Sequence, residues 1–106
     1  MAVVVPPLVY PVPLFIDLVA FAFDRAGAPR LNVTSWYRAG DPRLHGRGLA
    51  LDLQGSFGAL QAMGFAWRSL GLDAIDEAPA AGLRVNPVLH IELDGPVLRM
   101  LGVDFR

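Results

Sequence analysis

The sequence predicts an α+β fold: a small antiparallel sheet carrying two main helices, in a single domain spanning residues 1–106. Three observations lead there. Segments 14–26 and 57–70 carry apolar residues at helical spacing. The short runs 31–37, 48–53 and 88–93 are β-branched, aromatic or alternating, as strands are. Gly, Pro, Asn and Asp punctuate the intervals between them. With 106 residues, 54% of them apolar and 18% charged, the chain can bury one core but not two.

Taken in order, residues 2–5 (Ala-Val-Val-Val) have strand propensity, and Pro6-Pro7 ends it. Pro13 opens the first helix, in which Leu14, Leu18, Phe21 and Ala22 recur at helical spacing up to Ala26. Gly27 and Pro29 close it. Leu31 to Tyr37 reads as a strand, and Ala39 to Leu44, with Gly40-Asp41-Pro42, as a loop. From Gly48 to Leu53 a strand places Ala50 and Asp52 on one face and Leu49, Leu51 and Leu53 on the other, so the leucines supply the buried side. Ser56 is placed to cap a helix from about Phe57 to Leu70, through Leu60, Met63, Phe65 and Trp67, with Gly71 ending it. Residues 73–87, with Asp73, Asp76, Glu77, Pro79 and Gly82, read as a loop. Val88 to Leu93 is a strand, and Gly95-Pro96 turns into a short tail with Leu98, Leu101 and Val103.

Charge and composition remove several function classes. A net charge of −1 offers no attraction to nucleic acid or to an anionic membrane. The absence of cysteine excludes disulfides and thiolate ligands. Residues 1–23 are strongly apolar, but Pro6, Pro7, Pro11 and Pro13 would break a spanning helix and Asp17 lies inside the run. No positive charge follows Met1 closely and no small-residue cleavage site stands out, so the segment is read as part of the domain rather than a signal peptide. No membrane span is expected, and the sequence assigns no compartment.

The chemistry lies in three places. Ser35-Trp36-Tyr37-Arg38 precedes His45-x-x-Gly48-x-Ala50-x-Asp52, and His90 follows far downstream in Val88-Leu89-His90-Ile91-Glu92. The chain has only two histidines, and both sit near a carboxylate. Two imidazoles and one carboxylate are ligands that a catalytic zinc uses while keeping a position open for water. Taken singly, His45 reads as a polar loop residue, Asp52 as a surface acid and His90 as a hydrogen-bonded core residue. Their spacing favours a metal site. Gly48 permits a tight turn beside that site and the small Ala50 leaves room on the ligand face. Trp36 and Tyr37 read as packing residues.

This pattern resembles the zinc D-Ala-D-Ala carboxypeptidase and peptidoglycan endopeptidase family, which includes phage endolysins and shares its core with the hedgehog signalling domain. The matching residues are Ser35, Arg38, His45, Gly48, Ala50, Asp52 and His90. From average composition, His, Gly, Ala and Asp at four fixed positions arise by chance in roughly one such chain in a thousand. The resemblance implies a hedgehog/D-Ala-D-Ala-peptidase-like fold and zinc held by His45, Asp52 and His90. It also implies a peptide substrate from the bacterial wall, anchored by Arg38 with Ser35 in support, and a monomer is expected. Two positions depart from the family pattern. Arg43 stands where a serine is usual, and Pro87 where the catalytic acid is usual. Residues two apart on a strand share a face, so Glu92 is the expected replacement base beside His90, with Asp76 and Glu77 behind it. The alternative is a zinc-stabilised binding or structural module of the same fold with impaired catalysis.

Overall fold

The computed structural model of the chain describes residues 4–77 and 87–102. Four strands, β1 (Leu31–Ser35), β2 (Ala50–Gly55), β3 (Ala74–Glu77) and β4 (Val88–Glu92), form one sheet in the order β1-β2-β4-β3. Every neighbouring pair is antiparallel. Two main helices accompany the sheet, α1 (Val12–Arg25) and α2 (Phe57–Arg68), so the α+β architecture expected from the sequence is the one observed.

Strand alternation divides the sheet into two chemically different faces. Leu51 pairs with Ile91 and Leu53 with Leu89 across β2 and β4, and all four side chains are buried. On that side Gly64 of α2 comes close enough that an added methyl would touch Leu89 at 3.4 Å. Phe15 of α1 meets Trp67 of α2 edge-on, with ring centroids 5.7 Å apart. Trp67 is wholly buried, and its indole Nε1 donates to the carbonyls of Asp73 (2.9 Å) and Glu92 (3.1 Å). It therefore anchors β4 and the entry to β3 from behind while filling the core, and truncation there should cost about 3–5 kcal/mol. The opposite face carries Asp52, His90 and Ile75 side by side. Apolar packing on one face thus fixes where the polar groups of the other must stand.

The helix ends follow local chemistry. Ser56 Oγ accepts from Ala59 N at 3.2 Å, the N-cap expected from the sequence, worth about 1 kcal/mol. A proline in the first turn opens α1, where its missing N–H costs nothing. No helix among the described residues is long and apolar enough to cross a membrane.

Several expectations are corrected. Ala74–Glu77, read as loop, is strand β3, with Ile75 opposite His90 and Glu77 opposite Val88. Pairing with β4 overrides its weak propensity, as happens at sheet edges. Val4 and Val5 form no strand; residues 2 and 3, Pro79, Gly82 and Val103 lie outside the described residues. β1 stops at Ser35, short of Trp36 and Tyr37, and β2 begins at Ala50 and runs to Gly55. The tail after Gly95 contains a short helix, α3 (Pro96–Met100).

Candidate metal centre

His45 lies in a 3-10 turn, Leu44–Arg47, that packs its side chain to 5% exposure. The loop before it is closed by Arg38 N donating to His45 O at 3.0 Å. Two glycines make the turn possible. A methyl at Gly46 would collide with the Asp41 carbonyl. Gly48 takes φ +72°, a left-handed conformation that favours glycine, and a methyl there would also meet the Pro6 ring at 2.9 Å. Trp36 clamps both ends of this stretch, its Nε1 donating to Gly48 O at 2.9 Å and its carbonyl meeting His45 Nδ1 at 2.7 Å.

That last contact fixes the histidine tautomer. A carbonyl can only accept, so Nδ1 of His45 carries the hydrogen and Nε2 is the atom turned toward the site. Nε2 stands 3.4 Å from Asp52 Oδ1. His90, opposite Asp52 across β2 and β4, places Nδ1 2.8 Å from the same oxygen and Nε2 2.8 Å from Glu92 Oε1. The two imidazole rings lie 5.1 Å apart at 64°. One ligand atom from each of His45, Asp52 and His90 lies within 4.8 Å of the others, so the cluster could hold a metal ion.

The donor set fits such an ion. Bonds of about 2.0–2.1 Å in tetrahedral geometry put neighbouring ligand atoms about 3.3 Å apart, near the His45–Asp52 spacing and a few tenths beyond the His90–Asp52 one. An unprotonated Nε2 facing a carboxylate oxygen sets two lone pairs against each other, and a cation between them removes that repulsion. Glu92 on the far nitrogen of His90 completes the carboxylate–imidazole arrangement that orients metal-binding histidines.

Without an ion, protons take over this role. Burial would lower the pKa of His90, but hydrogen bonds to Asp52 and Glu92 outweigh it and push it up to about 9. Burial would raise Asp52, yet the imidazoles of His45 and His90 hold it well below the usual carboxylate range.

Arg38 stands on the same floor, half-exposed. Its Nη2 donates to Asp52 Oδ2 at 2.8 Å, Nε to Ser35 Oγ at 2.7 Å, and Nη1 approaches Asp41 Oδ2 at 3.4 Å. Ser35 reaches this position through a bulge: the register passes from Val33 opposite Leu53 to Ser35 opposite Asp52, leaving Thr34 extra. Arg38, Asp41, His45, Asp52, His90 and Glu92 line a groove of about 970 Å³, which Arg43, Ile75 and Glu77 also border.

The structure thus gathers every candidate named from the sequence except Asp76, which lies on the helical side and pairs with Arg68 at 3.2 Å. Sequence reasoning missed Asp41, which braces Arg38 and accepts from Arg43 N at 2.7 Å, and it missed Gly46. Gly40-Asp41-Pro42 signalled a turn but not its partner. Comparison with protein-family models, curated proteins and solved structures finds no match for this chain.

Proposed function

We propose that the chain is a zinc-dependent peptidase that cleaves peptide bonds of bacterial peptidoglycan, as a carboxypeptidase or an endopeptidase of the lysin type. The observation that carries the reading is the set of two imidazoles and one carboxylate at the floor of an open groove, each held by a further protein group. Nitrogen and oxygen donors in this number suit zinc, and the motif likeness adds the wall-peptide substrate and the hedgehog-type core. When bound, zinc would polarise the scissile carbonyl and lower the pKa of a water.

The chain's own residues do the rest. Trp36 O keeps the hydrogen of His45 on Nδ1, and Glu92 does the same for Nε2 of His90. Glu92 lines the groove and is the proposed acceptor of the attacking water's proton, a role its carboxylate takes only by turning away from His90 Nε2. Arg38 sets a positive charge beside the floor, suited to a peptide carboxylate or carbonyl, with Ser35 steadying it. A monomer acting directly on wall peptide suits the open groove.

A second reading, a zinc-stabilised binding module, is favoured by one observation. Pro87 replaces the usual acid, while Glu92 is already engaged on His90. Zinc analysis combined with cleavage of purified peptidoglycan separates the two. Zinc with peptide release supports the peptidase; zinc without release supports the module.

A further inference from the structure

The two oxygens of Asp52 are divided between partners on opposite sides. Oδ1 faces the imidazoles, 2.8 Å from His90 Nδ1 and 3.4 Å from His45 Nε2, whereas Oδ2 accepts from Arg38 Nη2 at 2.8 Å. The arginine is itself held in place. Nε donates to Ser35 Oγ at 2.7 Å, Nη1 lies 3.4 Å from Asp41 Oδ2, and Asp41 Oδ1 accepts from Arg43 N at 2.7 Å. Its backbone N–H also holds the carbonyl of His45. Arg38 therefore grips one ligand through its side chain and the turn of another through its main chain.

A carboxylate can bind a cation through one oxygen or through both. Bidentate binding by Asp52 would require Oδ2 to leave a charge-assisted bond of ideal length. We propose that Arg38 is a positioning residue that restricts Asp52 to ligation through Oδ1, so that three protein atoms hold the ion and the groove side stays open for substrate. This rests on the metal reading of the site, not on the peptidase reading.

A plain surface ion pair is the competing explanation, and such pairs contribute little. The geometry favours positioning. The Asp52 side chain is only 13% exposed, and the guanidinium is fixed on three of its nitrogens. Anchoring of substrate is compatible with this role, since the Nη1 contact to Asp41 is the longest and the easiest to exchange for a substrate oxygen.

The test uses metal-free wild type, Arg38→Met and Arg38→Lys. Each is titrated with zinc against a competing chelator and with cobalt, whose visible bands weaken as coordination number rises. Arg38→Met should bind zinc about tenfold or more weakly, with weaker cobalt bands as Asp52 recruits its second oxygen. Arg38→Lys, keeping one charged donor, should recover part of both. Unchanged affinity and bands in Arg38→Met overturn the proposal. So does an unchanged cobalt spectrum at any affinity: tighter binding would report only the lost repulsion between guanidinium and cation, and weaker binding only a general loosening of the site. If Arg38→Met does not fold, Ser35→Ala removes only the brace and should give the same changes at smaller size; no change there overturns the proposal. Wild type that binds neither metal overturns this inference and the metal reading together. Wild type that binds metal but cuts no peptide removes only the peptidase reading.

Discussion

Asp52 and His90 stand directly opposite one another in β2 and β4, with Oδ1 of the first 2.8 Å from Nδ1 of the second. The pair comes from positions far apart in the chain, and the register of two apolar strands brings it together. Leu51–Ile91 and Leu53–Leu89 on the buried face leave Asp52 and His90 no other place.

Protein purified without chelators is expected to contain close to one zinc per chain, measured by elemental analysis. His90→Ala should lose most of it, because the remaining two ligands hold the ion poorly. Equal zinc in the variant would remove His90 from the ligand set. Added zinc should also raise the melting temperature of the wild type, by about 2.7 kcal/mol of stability at a hundredfold excess over Kd.

The metal-free protein should show a stability that depends on pH on both sides. His90 has a folded pKa of about 9 against an ordinary 6.5, so its contribution is whole below 6.5 and disappears as pH rises through 9. Asp52 is depressed below its ordinary 3.8, so its contribution is present above that value and disappears as pH falls below it. Urea midpoints should be highest between those limits, and His90→Gln should flatten the alkaline side. An unaltered alkaline side in that variant would mean that His90 does not carry the effect.

Metal binding must displace the same proton. Affinity for zinc should therefore climb with pH, by roughly tenfold per unit up to the His90 pKa, and binding at pH 7 should release about one proton from that residue. Calorimetry in buffers of differing ionisation enthalpy reads this directly.

Glu92 can be divided into its two roles by two substitutions. Glu92→Gln keeps an acceptor for His90 Nε2, so zinc should stay while peptide hydrolysis slows by about a hundredfold to ten-thousandfold. Glu92→Ala removes the acceptor too, and zinc should bind about tenfold to a hundredfold more weakly. Full activity in Glu92→Gln would transfer the proton to another group, Glu77 being the groove carboxylate to test next.

Gly46→Ala should cost about 1–3 kcal/mol, since the new methyl strikes the Asp41 carbonyl and the turn carrying His45 must shift. Zinc affinity should fall along with stability in this variant. Denaturant unfolding and zinc titration of the same sample check both.

The parts of the fold and site that could be read from the sequence are those set by local pattern. Helical periodicity located α1 and α2, and the leucine alternation around Asp52 gave its face before any partner strand was known. His45, Asp52 and His90 are named from the sequence because their spacing resembles a known zinc-peptidase motif; the two histidines alone would not have picked Asp52 from ten acidic residues. What was hidden depends on pairing. Ala74–Glu77 carries no strong strand signal and is a strand because β4 has an edge to fill. The bulge at Thr34 has no local mark either, yet it sets Ser35 opposite Asp52, and so the role of Arg38 toward that carboxylate could not be foreseen.

The strand order also has a consequence for how the protein comes into being. Among the described strands β4 is the last to be synthesised, but it sits between β2 and β3. A nascent chain that has emerged only as far as Glu77 possesses β3 with α2 beside it but no strand to pair with, because its described strand partner is β4. His45 and Asp52 are by then already outside the ribosome, still lacking their third companion. Arrival of β4 joins the edge strand to β2 and delivers His90 in one step. A growing polypeptide would thus acquire its affinity for an ion abruptly and late, once the sheet has closed.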